Sequence, residues 1–312
     1  MRILVTGGFG YLGSHTSNYF LSKGHQVKIL SRTAHPELSE WSRQFEVVIG
    51  DVSEYSAIEN CCRDTDVVIH TAALNEVDCR LKHKEALLIN GLGTRNLLED
   101  AHLNNVKKFI YFSTFHVYGP PKTDIITEET LSDPINTYSI THYLAERYCR
   151  QFEVEKKNKR YILRISNGYG APLFRSVNRW ALVLNDLCSM AFSQKKIVLK
   201  SNGTQERDFI GIRDIMQGVE IFVENDVEDP DSNVYNLGSG QNVSIISLAS
   251  TVAEVYQERY NKSIKVEVPE DATEPDIKVS FQFSIDKIRK LGYQPTSVMK
   301  EEIHNIFELL EG

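Results

Sequence analysis

Short apolar runs alternate with amphipathic stretches along the first half of this 312-residue chain. Helical periodicity occurs around residues 12–23, 54–62, 84–103 and 137–157. The apolar runs between them are nearly continuous, so we expect strands that are buried on both faces, as in a parallel sheet covered by helices. These predicted strands are Ile3–Val5, Val27–Leu30, Val47–Ile49, Val67–Ile69, Phe109–Phe112 and Tyr161–Ile165.

The pattern loosens after Gly170, and no linker rich in glycine, serine or proline divides the chain. Ligands of doubly wound sheets bind at the carboxyl ends of the strands, so a looser second half would cover that edge. We predict an α/β fold: a doubly wound parallel sheet of the Rossmann type in residues 1–166, which binds the cofactor, and a smaller, interleaved α/β substrate lobe in residues 167–312. In the second half, helices are predicted near 179–192, 212–225, 245–260 and 298–311, and strands near 196–200 and 264–268.

The first strand runs into the sequence TGGFGYLG at positions 6–13 and then into a helical stretch. In this context Gly7 allows a tight turn, Gly10 lets a phosphate approach the backbone, and Gly13 lets the helix pack closely on the sheet. The start of the helix, with Tyr11 and Leu12, would add unpaired N–H groups and the positive end of the helix dipole. The motif indicates a dinucleotide-binding loop, and a purely structural turn is the alternative.

Composition narrows the class of protein and of partner. Hydrophobic residues make up 41% of the chain and charged residues 25%, as in ordinary globular proteins. The net charge of −7 comes without a basic block, so we expect no nucleic-acid partner. No apolar stretch approaches the ~20 residues that span a bilayer, and we expect no secretory signal before the first strand. A cytoplasmic protein without membrane contact is predicted.

The cysteines and histidines show no metal-ligand spacing. There are five cysteines and nine histidines, without a CxxC or HExxH pattern. We therefore expect reduced thiols and no metal site.

Side chains after the second and third strands are candidates to bind the rest of the cofactor. Ser31 and Arg32 stand where an NAD site usually has a carboxylate for the ribose 2′-hydroxyl. A hydroxyl beside a guanidinium suits a 2′-phosphate, so the sequence favours NADP over NAD unless Arg32 points into solvent. Asp51, followed by Val52, is expected either to accept from the adenine amino group or to cap a helix.

Two further segments are cofactor candidates. The fourth strand ends in His70-Thr71-Ala72-Ala73, and these small residues leave room for the pyrophosphate and the nicotinamide ribose. Asn90 precedes two glycines inside a helical stretch, which is unusual for a surface helix and predicts close contact with the central strands.

A hydroxyl and a phenol form the candidate catalytic pair. The fifth strand ends at Thr114, and Tyr138 begins a later helix with His142 one turn further on the same face. Both hydroxyls could reach one substrate oxygen, with the phenol as base when an alcohol is oxidised and as acid in the reverse step. The cofactor would take or return the hydride.

These motifs resemble, in family order, those of the extended short-chain dehydrogenases/reductases of the nucleotide-sugar epimerase/dehydratase group. The matching runs are TGGFGYLG at 6–13, HTAA at 70–73, NGLGT at 90–94, STFHVYG at 113–119, Tyr138 with its helix, LRISNGYG at 163–170, RDFIGIRD at 207–214 and YNLGSG at 235–240. The resemblance implies a Rossmann domain with a nucleotide-sugar lobe, often in a homodimer built on a four-helix bundle. It also implies that Thr114 is the catalytic hydroxyl and Tyr138 the acid/base.

Two departures from the family pattern bear on the chemistry. Members that eliminate water carry an acidic residue just after the catalytic hydroxyl residue, where this chain has Phe115 and His116. A 4,6-dehydratase is therefore disfavoured. The second departure is His142, which replaces the lysine of the family pattern Tyr-x-x-x-Lys. A mostly neutral imidazole could bind the nicotinamide ribose, but it would promote the ionisation of Tyr138 less than lysine does.

By the same resemblance, four residues of the second half are substrate candidates. Asn167 would contact the sugar or the diphosphate, while Asn178 and Arg179 would open the next helix beside the nucleotide. Arg207 would pair with the diphosphate, and a surface salt bridge is the alternative. The family's second arginine is missing from residues 272–276, which leaves Arg175 or Arg179 as its candidate replacement.

The sequence thus predicts an NAD(P)-dependent nucleotide-sugar epimerase that works at sugar C4 through a transient 4-keto intermediate. An NADPH-dependent nucleotide-4-keto-sugar reductase is the alternative within the family. A catalytically weak NAD(P)-binding regulatory protein is the alternative from another class. The helices near 84–103 and 137–157 are long enough for a homodimer with a four-helix interface, and ordinary packing against the lobe is the alternative.

Overall fold

A computed structural model describes residues 1–156, 159–228, 232–269 and 281–312. Its strands are β1 (Arg2–Thr6), β2 (Gln26–Ser31), β3 (Glu46–Ile49), β4 (Val67–His70), β5 (Lys108–Thr114), β6 (Ile125–Ile126), β7 (Lys159–Ile165), β8 (Asn167–Tyr169), β9 (Lys196–Val198), β10 (Glu206–Gly211), β11 (Val234–Leu237), β12 (Asn242–Ser244), β13 (Lys265–Glu267) and β14 (Gln282–Phe283). Its α-helices are α1 (Tyr11–Ser22), α2 (Ser39–Ser42), α3 (Tyr55–Ile58), α4 (Glu76–Leu81), α5 (His83–Ala86), α6 (Thr94–Leu103), α7 (Thr137–Lys156), α8 (Val183–Gln194), α9 (Ile212–Glu224), α10 (Ile245–Tyr260), α11 (Asp286–Arg289) and α12 (Met299–Glu311).

The central sheet has seven strands in the order β11-β7-β5-β4-β1-β2-β3. The pairs β1–β2, β2–β3, β1–β4 and β4–β5 are parallel. All six apolar runs of the first half form strands of this sheet, and all seven residues of β5 are buried. The chain starts in the middle of the sheet and winds outwards in both directions, which confirms the predicted doubly wound Rossmann fold.

Strand β3 does not follow the expected burial on both faces. Val47 is 37% exposed and Ile49 is 51% exposed. β3 is the last strand on its side of the sheet, so its apolar residues gain less cover than those of the central strands. A continuous apolar run therefore predicted the strand correctly but not its burial.

Two predicted helices of the first half are shorter or less regular than their periodicity suggested. The helix expected over 54–62 is the single turn α3, and Asn60 and Asp64 beyond it have positive φ angles of 63° and 58°. The helix expected over 84–103 consists of α5, a π-helical segment Leu87–Gly93 and α6.

In the second half, the helices predicted near 212–225, 245–260 and 298–311 correspond to α9, α10 and α12. The helix predicted from residue 179 begins later, at Val183. Several strands were not predicted, because most of them are short and β10 carries charged residues at its start. They are β6, β8, β10, β11, β12 and β14. None of the described helices combines the length and the apolar character that crossing a membrane requires.

The chain forms two compact units. Unit 1 contains Met1–Pro120, Leu131–Arg164 and Val219–Tyr235, and unit 2 contains Pro121–Thr130, Ile165–Gly218 and Asn236–Gly312. In unit 1, side chains such as Leu97, Phe109 and Cys149 pack in one apolar core. Unit 2 has its own core, which includes Phe209 and Phe307.

Candidate active site

The glycine-rich loop takes the shape that the sequence predicted at its first turn. Gly7 has a φ of +66°, and its N–H donates to the carbonyl of Leu30 at 2.8 Å. A Cβ on Gly7 would lie 3.0 Å from the backbone of Ala72, while a Cβ on Gly13 would clash with the Gly7 carbonyl. Any larger residue at these positions would displace the loop.

The packing of the loop on the sheet differs in one respect from the prediction. A Cβ on Gly13 would meet the backbone of Gly7 and Gly8, which belong to the loop itself. A Cβ on Gly8 would instead clash with the side chain of Ile29 in β2. Gly8 is therefore the residue that lets the loop approach the sheet, and Gly13 lets the helix approach the loop.

Helix α1 begins at Tyr11, directly after the loop. Its N-cap is Gly10, which has no side chain to satisfy the first backbone N–H groups. Tyr11 is buried and Leu12 is half-buried at this helix start. An uncapped N-terminus behind a glycine loop suits the negative charge of a pyrophosphate.

At the ends of β2 and β3 lie the residues predicted to bind the adenosine part of the cofactor. Ser31 is buried, and its hydroxyl donates to the carbonyl of Thr33 at 3.1 Å, whereas Arg32 is exposed. One carboxylate oxygen of Asp51 accepts from the N–H (2.9 Å) and the hydroxyl (2.7 Å) of Ser53. Helix α3 starts after this point, so Asp51 caps a turn and not a helix.

Val52 and Asn90 contact neighbouring segments of the protein. Val52 is buried, and its side chain lies where a Cβ on Gly93 would clash. The Asn90 carboxamide accepts from the N–H of Leu74 at 2.7 Å and donates to the hydroxyl of Thr141 at 3.1 Å. Asn90 thus joins the segment after β4 to α7, and Thr94 at the end of the same stretch lies 2.9 Å from His70 of the central strand β4.

The end of β4 is tied to the end of β1. The hydroxyl of Thr71 donates to the carbonyl of Thr6 at 2.7 Å, and the N–H of Ala72 donates to the Thr6 hydroxyl at 3.2 Å. His70 is buried between the hydroxyls of Thr6 (2.6 Å from Nδ1) and Thr94 (2.9 Å from Nε2). Burial lowers the pKa of His70 to about 3, so the ring is neutral. Ala73 follows on the exposed side of this segment.

The predicted catalytic residues gather where β5 ends and α7 begins. Thr114 ends β5, and its hydroxyl oxygen accepts from the N–H of His116 at 3.3 Å. Tyr138 lies in the first turn of α7, with its ring centre 6.0 Å from that of His116 and 4.5 Å from that of His142. A phenol, a threonine hydroxyl and two imidazoles thus lie in one cluster of unit 1.

His142 is buried and electrically neutral. Its Nδ1 lies 2.7 Å from the hydroxyl of Tyr111, and its Nε2 has no hydrogen-bond partner among the described residues. Burial, with a smaller contribution from His116, lowers the pKa of His142 to about 3. The imidazole can therefore donate or accept a hydrogen bond at Nε2, but it brings no positive charge to Tyr138.

These features fit a dinucleotide. The glycine loop and the uncapped start of α1 offer backbone N–H groups to phosphates. The buried Nε2 of His142, which has no partner in the described part of the chain, offers a polar contact to a ribose hydroxyl. All of them belong to unit 1.

Sequence reasoning missed a buried ion pair next to the cluster. Glu146 of α7 accepts from Arg164 at 2.9 and 2.6 Å and from the hydroxyl of Ser113 at 2.6 Å. Burial alone would lower the pKa of Arg164, but its bonds to Glu146 outweigh this and raise it. The guanidinium also lies over the ring of Tyr118 at 4.5 Å. The position of Glu146, one turn after His142 on the same helix face, was the available signal.

The substrate candidates belong to unit 2, where they are not all in the expected local structure. The carboxamide of Asn167 donates to the carbonyl of Asp208 at 2.8 Å. Arg207 is half-buried, which lowers its pKa, and it donates to the neutral Gln205 at 2.8 Å. Within the described ranges Arg207 forms no ion pair, so the surface salt bridge considered as its alternative is not made to any of these residues.

Asn178 and Arg179 lie in the segment before α8 and do not open that helix, which starts at Val183. The carbonyl of Arg179 accepts from Asn185 at 3.4 Å. The segment 272–276, from which the family's second arginine is missing, lies outside the described residues.

A cysteine cluster lies elsewhere in unit 1. Cys61, Cys62 and Asp100 bring their ligand atoms within 4.8 Å of one another. The Asp100 carboxylate already accepts from the N–H groups of Asn60 (2.6 Å) and Cys62 (2.8 Å), and a hydrogen bond with Cys61 and burial raise the pKa of the Cys62 thiol. This carboxylate therefore closes the turn before β4, and all five cysteines are free, buried thiols.

Comparisons with known proteins agree with this geometry. A family model described as the NAD dependent epimerase/dehydratase family matches residues 3–238. The chain is 26% identical to the human dTDP-D-glucose 4,6-dehydratase, over 98% of this chain and 89% of that protein. It is 27% identical to the UDP-glucose 4-epimerase of Bacillus subtilis (strain 168), over 96% of this chain and 94% of that protein. A solved structure of the UDP-glucuronic acid 4-epimerase from Bacillus cereus, in complex with UDP-glucuronic acid and NAD, shares the fold with a TM-score of 0.81 at 24% identity, over 100% of this chain and 99% of that one.

Proposed function

Since this chain belongs to the NAD-dependent epimerase/dehydratase family, we propose that it is a nucleotide-sugar 4-epimerase. The observation that supports this activity most directly is the grouping of Tyr138 with His116 and His142, with Thr114 hydrogen-bonded to the backbone of His116. This group of side chains belongs to the same unit as the glycine-rich loop.

In the proposed reaction, the glycine-rich loop, the start of α1 and His142 would hold a dinucleotide, which would supply a reversible hydride acceptor. Tyr138, as the ionised phenol, takes the proton of the C4 hydroxyl while the C4–H bond breaks, which leaves a 4-ketone on the sugar. Thr114 donates a hydrogen bond to the same oxygen. When the sugar presents its other face, Tyr138 returns the proton to that oxygen and C4 is inverted, with no net oxidation.

The residues after Thr114 support epimerisation over dehydration. Loss of water from the 4-keto sugar requires a group that moves the C5 proton and a group that protonates the departing hydroxyl. The relevant positions hold Phe115 and His116, whose rings lie 4.1 Å apart, and neither residue is a carboxylate. Hydride exchange at C4 needs no acid at these positions.

For the substrate, we propose that unit 1 binds the dinucleotide and that unit 2 supplies contacts to the nucleotide sugar. The half-buried guanidinium of Arg207 has no carboxylate partner in the described part of the chain, which leaves its charge available for a diphosphate. Asn167 would contact the sugar or diphosphate, and Asn178 and Arg179 the nucleotide. The nucleotide sugar held by the Bacillus cereus protein supports this substrate class.

For the cofactor, we propose a preference for NADP. Arg32 is exposed at the end of β2, beside the buried Ser31, at the position where a 2′-phosphate would be bound. The test is the ratio of the dissociation constants for NADP⁺ and NAD⁺ in wild type and in Arg32→Ala. Loss of one charge-assisted contact predicts about 10-fold weaker NADP⁺ binding with NAD⁺ binding unchanged. Equal effects on both dinucleotides would contradict the preference.

The activity is tested with a panel of nucleotide sugars, each incubated with the protein alone, with NAD⁺ and with NADPH. An epimerase interconverts C4 epimers with catalytic amounts of dinucleotide. Tyr138→Phe should abolish turnover while dinucleotide affinity stays within about twofold, because it removes the proton carrier and little else. Full turnover in this variant would refute the assigned role.

The second candidate is a 4-ketoreductase, which the proposed NADP preference favours. Its signature in the same panel is consumption of one NADPH per 4-keto sugar. Dinucleotide binding without turnover on any sugar would favour a regulatory protein.

We also propose a homodimer. Leu88 and Leu92, in the π-helical segment, and Ile140 of α7 are large apolar residues that stay exposed in the single chain. Light scattering should give twice the chain mass for wild type and the single-chain mass for Leu92→Glu.

A further inference from the structure

The strand below the catalytic cluster carries a tyrosine that the proposed reaction does not use. Tyr111 of β5 is buried, and among the described residues its hydroxyl forms one hydrogen bond, with Nδ1 of His142 at 2.7 Å. The two rings lie 5.9 Å apart at an interplanar angle of 31°, so they meet through their polar edges and are not stacked.

The direction of this bond follows from counting protons. Both groups are neutral, because burial raises the pKa of Tyr111 and lowers that of His142. If Nδ1 carried the imidazole proton and donated to Tyr111, the tyrosine O–H and the bare Nε2 would both be left without partners. If Tyr111 donates to Nδ1, one group remains unpaired, the N–H at Nε2. Each buried, unpaired polar group is costly, so the second arrangement is favoured.

From this we infer that Tyr111 is a positioning residue: its hydroxyl donates to Nδ1 of His142 and holds the ring as the Nε2–H tautomer, a neutral donor to a hydroxyl oxygen of the dinucleotide's ribose. The inference deepens the proposed function, because it rests on dinucleotide binding by unit 1. It also explains how an uncharged ring can occupy the place of a lysine. A lysine ammonium donates hydrogen bonds regardless of its neighbours. A neutral imidazole donates from Nε2 only when its Nδ1 is an acceptor.

The tautomer is measured directly by long-range ¹H–¹⁵N NMR of the histidine rings, with His142 assigned from its absence in His142→Asn. In wild type without ligand we expect His142 protonated at Nε2 alone, unchanged from about pH 8 to about pH 5.5. Tyr111→Phe should convert this signal into a mixture of both tautomers. The matched control is Tyr161→Phe, which removes another buried phenol of unit 1 whose hydroxyl donates to the carbonyl of Val227 at 2.9 Å. That variant should leave the His142 signal unchanged.

The second readout is the dissociation constant of NAD⁺ or NADP⁺, whichever the wild type binds more tightly, by titration calorimetry without any sugar. Tyr111→Phe should bind about 3- to 10-fold more weakly, as expected for the loss of one oriented hydrogen bond, and Tyr161→Phe within about twofold of wild type. In a His142→Lys background, Tyr111→Phe should change the affinity by less than about twofold, since the lysine has no tautomer to be selected.

Several results would overturn the inference: a wild-type ring protonated at Nδ1, a doubly protonated ring at neutral pH, or a Tyr111→Phe variant with the wild-type tautomer and affinity. These outcomes are separate from the fate of the proposed epimerase. If no nucleotide sugar reacts but tautomer and affinity respond as described, the inference stands and the proposed reaction falls. If wild type binds neither dinucleotide, both the ribose contact and the proposed function are refuted.

Discussion

Two buried imidazoles should make unit 1 sensitive to mild acid. His70 and His142 are both buried, and burial lowers the pKa of each to about 3. In the unfolded chain the same rings titrate near ~6.5. Between these two values the unfolded state therefore binds more protons than the folded state, and the free energy of unfolding falls as the pH is lowered.

The size of the effect follows from the two pKa values. At about pH 5 an unfolded histidine is almost fully protonated, while a folded ring with a pKa of about 3 is still neutral. The difference amounts to about 2 kcal/mol for each ring relative to about pH 7.5, hence about 4 kcal/mol for both. This is a large part of the ~5–15 kcal/mol by which a folded protein is stable.

The assay follows urea unfolding of unit 1 by tryptophan fluorescence. The chain has two tryptophans, Trp41 in unit 1 and Trp180 in unit 2, so a Trp180→Phe background leaves a reporter in unit 1 alone. The free energy of unfolding is measured at about pH 7.5 and about pH 5.0 for this background, His70→Gln and His142→Gln. Each substitution should reduce the pH-dependent loss by about 2 kcal/mol.

Comparing two pH values removes the constant cost of each substitution, such as the lost hydrogen bonds of the rings. His83→Gln, which removes a histidine at an exposed position, is the control and should leave the pH-dependent loss unchanged. If both buried-site variants lose as much stability as the background on acidification, the rings are not held neutral in the folded protein and the reasoning is refuted.

Three other substitutions test the site. Glu146→Gln should lower the free energy of unfolding by about 3–5 kcal/mol, because it leaves a buried guanidinium without its counter-charge; a loss below about 0.5 kcal/mol in urea titrations would contradict this. His142→Lys should preserve or increase turnover near neutral pH, because a cation one turn after the phenol favours its ionised form; a large loss in the epimerase assay would show that the imidazole has a role of its own. Gly13→Ala should weaken dinucleotide binding at least ~10-fold in calorimetry, because its Cβ would clash with the Gly7 carbonyl. The control is Gly168→Ala, whose Cβ would make an ordinary contact at 3.5 Å and which should bind the dinucleotide normally.

The local sequence pattern was enough to predict most strands of the central sheet and the glycine loop of unit 1. The six apolar runs became strands of one sheet, and the glycine loop between β1 and α1 has the positive φ at Gly7 that its sequence required. These features depend on side chains within a few positions of one another, so the order of residues specifies them. The order of motifs likewise identified the family, which the family model confirms.

Features that depend on residues far apart in the chain could not be predicted in this way. The exposure of β3 follows from its place at the end of the sheet order, and strand order is a property of the whole fold. The role of Gly8 likewise depends on the side chain of Ile29 in β2, which faces it across the fold.

The electrostatic character of the site shows the same division. The sequence alone determined that a histidine follows Tyr138 by one helical turn and that no carboxylate follows Thr114 directly. Only the tertiary structure decided that this histidine is buried against Tyr111, and that Glu146 meets Arg164 beside it. The physical reason is that the pKa of a side chain and the direction of its hydrogen bonds depend on burial and on partners brought together by folding, which no local pattern encodes.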